Sequence, residues 1–289
     1  MPNGIIIIDK PMDWTSMDVC AKLRRLLGER RVGHAGTLDP MATGVLTVFV
    51  GRATRGVEFA ESGAKEYRAT LRLGAETDTQ DTTGTVLNTS EQRPSRQDIL
   101  AVLPGFRGDI QQIPPMYSAL KRNGKKLYEL ARKGKTVERQ PRPVTIFALE
   151  LGEQLSPTDW ALTVRCSKGT YIRTLCHDIG QALGCGGVMA SLRRTEAAGF
   201  TLEDAVTLED VARAAEQGTA EALLRPVDTL FRQYPPLTIY GRKEQLCRNG
   251  NPFRLTGEDG TFRVYGADGS FLMLGRRKDG EMRTVKSFF

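Results

Sequence analysis

The 289-residue sequence is poor in the groups from which metal and redox sites are built. It has two histidines, His34 and His177, and no C-x-x-C pair, so no zinc or other metal site is expected. The five cysteines (Cys20, Cys166, Cys176, Cys185, Cys247) are scattered and odd in number, which suits a reducing compartment and excludes a disulfide framework. Cys176 and His177 are adjacent, and neighbours on a helix point about 100° apart, so they do not read as a nucleophile and its base. No G-x-x-x-x-G-K-[ST] is present, which argues against a phosphate-cradling nucleotide site. The nearest dinucleotide-like run, GCGGVMAS from Gly184, follows a helical stretch instead of a strand. No apolar run approaches the roughly 20 residues needed to cross a bilayer. The opening MPNGIIIIDKP has four apolar residues in a row and no basic flank before them, which fits a buried strand better than a secretory leader. The chemistry is expected to need no metal and no cofactor, and the location to be cytoplasmic.

What is abundant is positive charge in one place. The formal net charge is +7. Between Lys121 and Arg142 nine basic residues face only Glu129 and Glu138, a local excess of +7, so the rest of the chain is neutral on balance. Such a run is often a solvated loop. It also suits a surface that grips phosphates, with Lys121, Lys125, Lys126, Lys133 and Lys135 as candidates.

The pattern of elements is mixed. Gly4–Asp9 reads as a strand, and Ser16–Leu27 as a helix capped by Thr15 or Ser16 and stopped by Gly28. The glycine-punctuated 33–44 stretch reads as a structured loop, and Val45–Val50 as a strand. KEYRATLRLG alternates apolar and polar residues, as a half-exposed strand does. Ser95–Leu103, the KKLYELARKG segment, Tyr171–Gly184 and Thr207–Gln217 read as helices, and Val144–Leu151 and Trp160–Cys166 as strands. Arg225–Pro236 reads as a linker, followed by short strands between turns. The expectation is an α+β fold in two domains. Residues 1–230 form a catalytic domain with a mixed, mainly antiparallel sheet, flanking helices and a basic insertion at about 108–142, and residues 231–289 a small β-barrel-like domain.

Several segments carry chemistry. Asp39 stands in GHAGTLDPMATGVL between Gly36 and Gly44, where backbone can approach a ligand closely; out of context, Asp-Pro is a common turn. Tyr67 lies between Lys65 and Arg68 in KEYRATLRLG, and TDTQD trails it, ending at Asp81. Tyr171 and Arg173 stand two apart in CSKGTYIRTLCHDIG. With the opening IIIIDKP and the phrase IPPMYSALKRNGKKLYELARKG, these segments resemble, in order and over nearly the whole chain, the TruB-type tRNA pseudouridine-55 synthases. The resemblance implies a pseudouridine synthase catalytic domain, a C-terminal PUA-like RNA-binding domain, and isomerisation of the T-loop uridine of tRNA by a stand-alone monomer without guide RNA.

It also implies roles. Asp39 becomes the essential carboxylate, paired with Arg173, which is expected to hold it ionised. Tyr67 and Tyr171 face an extruded uridine, which a stacked aromatic would hold by about 1–3 kcal/mol. Asp81 shares Arg173. His34 lies beside the flipped nucleotide, Leu192 meets the uracil edge through its backbone, and Lys10 sits near the site. The basic segment closes on the T arm; whether the C-terminal cluster Arg276, Arg277 and Lys278 contacts the acceptor stem stays open. How Asp39 acts stays open: attack at C1′, addition at C6, or removal of the 2′ proton. The alternatives are a non-catalytic tRNA-binding or tRNA-folding protein, and a synthase acting on another RNA.

Overall fold

The computed structural model describes residues 2–122 and 124–289, the side chains of Lys121 and Arg122 excepted. Its organising element is a nine-stranded sheet. Along the main path the order is Gly4–Lys10, Thr43–Val50, Gly187–Ala197, Lys65–Leu73, Asp159–Cys166, Arg142–Gln154, Gly108–Gln112. Val32–Ala35 pairs with Thr43–Val50, and Phe200–Thr201 with Gly187–Ala197. All pairings are antiparallel except one: Arg193 and Arg194 run parallel to Thr43 and Gly44.

Ile5 to Ile8 show why the first strand lacks alternation. Ile5 and Ile7 pack with Phe49 and Phe231 on one face, and Ile6 and Ile8 with Val19, Leu23 and Leu46 on the other. A strand covered on both sides is apolar throughout. Lys65–Leu73 keeps the alternation expected of it: Tyr67, Ala69, Leu71 and Leu73 are buried, and Arg68 and Arg72 are exposed. The helix Ser16–Leu27 begins at a Thr15–Asp18 capping box and ends at Gly28, whose φ of 63° is the left-handed value glycine adopts freely.

Several expectations need correction. The 33–44 stretch is not loop throughout: Gly33 and His34 belong to the strand Val32–Ala35, and Thr43 and Gly44 to Thr43–Val50, because both ends find partners on the same sheet. The helix in the basic segment covers only Leu127–Ala131, since Lys125–Lys126 pairs with Lys121–Arg122 as a short hairpin. The supposed linker holds a 3₁₀ turn, Val227–Phe231, whose Phe231 is buried against Phe59, Phe271 and Phe288.

Beyond it lies a five-stranded sheet in the order Pro236–Thr238, Gly260–Tyr265, Phe271–Lys278, Glu281–Ser287, Phe253–Arg254. Its apolar cluster includes Ile239, Cys247, Val264, Leu272 and Met282. A short helix, Arg242–Arg248, packs within it, where the sequence suggested only strands. Arg55 donates to the carbonyls of Ser287 and Phe289, and Lys286 pairs with Glu58, so the small sheet is seated on the large unit. Among the described residues no helix is long and apolar enough to cross a membrane.

Candidate active site

The one parallel junction of the large sheet is where the candidate residues gather. Reading across the register, Lys10 lies opposite Gly44, Gly44 opposite Arg194, and Arg194 opposite Tyr67. The chain that leads into Gly44 is the short loop carrying Asp39. Gly44 has a φ of 100°, and a Cβ there would sit 2.2 Å from the carbonyl oxygen of Arg194. Only glycine permits this close approach.

Four groups fix the loop's backbone. The Ser16 hydroxyl accepts from Leu38 N at 2.9 Å and donates to Leu38 O at 3.2 Å. The Lys10 ammonium donates to Pro40 O at 3.2 Å, and also to Pro11 O and Trp14 O at 2.7 and 2.6 Å. Asp13 N donates to Pro40 O at 2.9 Å. The Arg194 guanidinium donates to Val45 O and Gly36 O at 2.7 and 2.9 Å.

So held, the Asp39 side chain points at Arg173. Arg173 Nε lies 3.0 Å from Asp39 Oδ2, and Nη1 lies 3.4 Å from Asp81 Oδ2. The same guanidinium donates to Thr79 O at 3.0 Å and to Tyr117 O at 2.8 Å. Arg173 and Asp81 are buried, with side chains 6% and 5% exposed, whereas Asp39 keeps 38% of its side chain open. Asp81 Oδ1 accepts from Thr79 Oγ1, Thr83 N and Thr83 Oγ1, which orients its second oxygen toward Arg173. The carboxylate with room to meet a ligand is therefore Asp39.

The electrostatics revise one expectation. Arg173 does not by itself set the protonation of Asp39: loss of solvent pushes the carboxyl above its ordinary 3.8, Arg173 and Lys10 oppose this, and Asp81 adds to it. The chief cause is burial, and the second carboxylate on the same guanidinium adds a smaller push. Lys10, enclosed on the far side of the loop, is lowered by burial to about 8, with Asp39 opposing. Burial pushes both phenols, Tyr67 and Tyr171, above the ordinary 10.0, and each feels the charge of Asp39.

The structure thus brings together Asp39, Arg173, Asp81, Tyr67, Tyr171 and Lys10. Leu192 is buried in the apolar cluster that includes Tyr67 and Leu38. His34 sits opposite Val48, with Nδ1 buried and without a protein partner; burial, with Arg194 adding to it, lowers its basicity. In the basic segment Lys125, Lys133 and Lys135 are exposed, Lys126 is half-buried over the Tyr128 ring, and the side chain of Lys121 lies outside the described residues. Among the described residues no three His, Cys, Asp or Glu side chains converge as a metal site would need.

Four contributors escaped the sequence reading. Ser16 looked like a cap, and Arg194 like one of a charged pair in SLRRT. Gln112, almost fully buried, receives the Tyr171 N–H at 3.0 Å and donates to Tyr171 O at 3.2 Å. The Tyr117 carbonyl reaches Arg173 from the segment just before the basic run. Only the RR dipeptide offered any signal, and it does not say which arginine turns inward.

Family profiles over most of the chain define the class: the chain is a pseudouridylate synthase, an isomerase. It belongs to the TruB family, whose N-terminal profile, "TruB family pseudouridylate synthase (N terminal domain)", matches residues 24–172, and whose "tRNA pseudouridylate synthase B C-terminal domain" matches residues 173–232. It is 49% identical over 238 residues to the tRNA pseudouridine synthase B of Syntrophotalea carbinolica, covering 82% of this chain and 77% of that one. With the tRNA pseudouridine synthase B of Dechloromonas aromatica the identity is 47% over 253 residues, covering 88% and 84%. Among solved structures, a chain of a Cbf5-Nop10-Gar1 complex superposes with a TM-score of 0.72 at 25% identity, covering 99% of this chain and 85% of that one.

Proposed function

We propose that the protein isomerises a uridine in the T loop of tRNA to pseudouridine, with Asp39 as the carboxylate at the sugar. The reaction breaks N1–C1′, turns the base, and joins C5 to C1′; the proton on C5 leaves and N1 gains one. Nothing is oxidised or reduced, so the balance requires only acid–base groups and a carboxylate. The observation that carries the reading is Asp39: one oxygen held by a buried guanidinium, the side chain partly open, and two phenols within reach of its charge. Such a carboxylate can stabilise a cationic sugar or bond to it covalently.

A uridine inside a folded loop is stacked, so it must be extruded before Asp39 can meet it, at a cost of a few kcal/mol. Tyr67 supports the flipped base from the sheet, and Tyr171 closes on it from the start of the helix Ile172–Ala182. His34, kept neutral by burial, borders the vacated stack, and the Leu192 backbone reads the uracil edge. Asp81 acts behind Arg173. The exposed lysines 125, 133 and 135, with Lys121 and Lys126, take the phosphates of the T arm, and residues 231–289 form a PUA-like unit that adds RNA surface. Substrate choice rests on the family, whose curated relatives are named for tRNA.

The test is direct. Unmodified tRNA is incubated with the protein, and pseudouridine is mapped by nucleotide. Modification confined to the T loop is expected; modification elsewhere, with the T loop untouched, rules out the substrate assignment. Asp39→Asn is expected to bind the RNA and leave it unmodified. A variant that still forms pseudouridine removes Asp39 from the chemistry.

A further inference from the structure

Among the described residues Arg194 is the bulkiest fully buried side chain, 1% exposed. A guanidinium so placed ordinarily meets a carboxylate, because burying an unpaired charge is costly. Arg194 instead ends on carbonyl oxygens. Its Nε donates to Val45 O at 2.7 Å and its Nη2 to Gly36 O at 2.9 Å, and no ion pair completes it among the described residues. Those two carbonyls flank the loop that carries Asp39, one on either side. The third nitrogen, Nη1, lies against Gly36, where a Cβ would stand 3.3 Å away. On the opposite side, the backbone of Arg194 presses on Gly44 so closely that no side chain fits.

The charge has neighbours that respond to it. Lys10, His34 and Lys65 are each lowered chiefly by burial, and Arg194 contributes to each; it opposes the rise of the Tyr67 phenol. Tyr67 is also its partner across the sheet. A cation without an ion-pair partner thus lies beside the Tyr67 phenol and between the two ends of the catalytic loop. We propose that Arg194 is a positioning residue for the isomerisation: it clasps the Gly36–Val45 loop so that Asp39 meets Arg173, and it holds a fixed positive charge beside Tyr67. The proposal rests on the reading of Asp39 given above. An electron-rich base released from C1′ would find that charge already in place, without rearrangement of solvent.

The experiment compares Arg194→Met, Arg194→Lys and Asp39→Asn in the full chain. It measures single-turnover pseudouridine formation on a tRNA transcript, RNA affinity, melting temperature and the pH dependence of the rate. Arg194→Met is expected to lose about a hundredfold in single-turnover rate, as a catalytic group displaced by about 1 Å does, with RNA affinity near wild type. Its pH–rate profile should move to higher pH, because the neighbouring lysines, His34 and the Tyr67 phenol all lose a cation. Arg194→Lys keeps the charge but not both carbonyl contacts. It should lose less rate and keep the wild-type profile. A wild-type rate in Arg194→Met, or a slow Arg194→Met with an unmoved profile, overturns the proposal. Should Arg194→Met not fold, Arg194→Lys decides, and a wild-type rate there overturns it. If Asp39→Asn is active, the underlying reading fails; if it is inactive while the Arg194 variants react normally, only this proposal falls.

Discussion

At the scale of single residues, the site is governed by competition for charge. Asp39 and Asp81 share Arg173, and partial loss of solvent raises the carboxyl of Asp39 above 3.8. Between that ordinary value and the raised one, the folded protein holds a proton that the unfolded chain has released. The contribution of Asp39 to stability is therefore present at low pH and lost as pH rises through this window. Asp39→Asn removes the penalty while Arg173 keeps Asp81, Thr79 O and Tyr117 O. The variant is expected to melt at or above the wild-type temperature at pH 7 although it makes no pseudouridine; a marked fall in melting temperature contradicts this. Lys10 works in the other direction. Its folded value is about 8 against an ordinary 10.5, so between these the unfolded chain holds the extra proton and stability gains as pH rises. Lys10→Met should lack that gain when stability is followed by denaturant titration from pH 7 to 10. It should also slow the reaction more than it weakens RNA binding, since Pro40 O loses its ammonium donor.

At the scale of elements, the loop between the strands Val32–Ala35 and Thr43–Val50 depends on its glycine at the strand entry. Gly44→Ala would force a left-handed φ on a side chain, costing about 1–3 kcal/mol. Its Cβ would also strike the backbone of Arg194. A melting temperature equal to wild type is incompatible with this packing. The basic segment around the helix Leu127–Ala131 is a different sort of element, with Lys125, Lys133 and Lys135 exposed. Replacing Lys125, Lys126, Lys133 and Lys135 by alanine should leave melting nearly unchanged and weaken tRNA binding. It should also lower the slope of log affinity against log salt by about 0.9 for each phosphate that is no longer neutralised. An unchanged slope would mean that this segment is merely solvated.

At the scale of the whole molecule, Phe231 joins the two sheets. Its ring meets Phe59 edge-on at 5.1 Å and lies 6.0 and 5.7 Å from Phe271 and Phe288. Phe231→Ala should cost about 3–5 kcal/mol, the usual loss for a buried aromatic. It should split thermal unfolding into two transitions, because the small sheet would lose its seat on the large unit. A single transition at the wild-type temperature would show that the aromatic cluster does not couple them.

Local patterns carried much of this structure. The isoleucine run, the alternation in Lys65–Leu73 and the Thr15–Asp18 cap each follow from residue type and spacing, since burial and capping act over a few neighbours. The resemblance to the TruB family singled out Asp39, Tyr67, Tyr171 and Arg173 as one set. The pairing of Asp39 with Arg173 spans 134 positions of chain, and the row Lys10, Gly44, Arg194, Tyr67 crosses four strands. Sequence alone could not tell which arginine of SLRRT turns inward, because Arg193 and Arg194 are chemically the same. Arg193 reaches Asp9 and stays half open, while Arg194 faces the interior because its position in the sheet register points it there. Side chains on a strand alternate faces, so the burial of each was decided only when the strands found their partners.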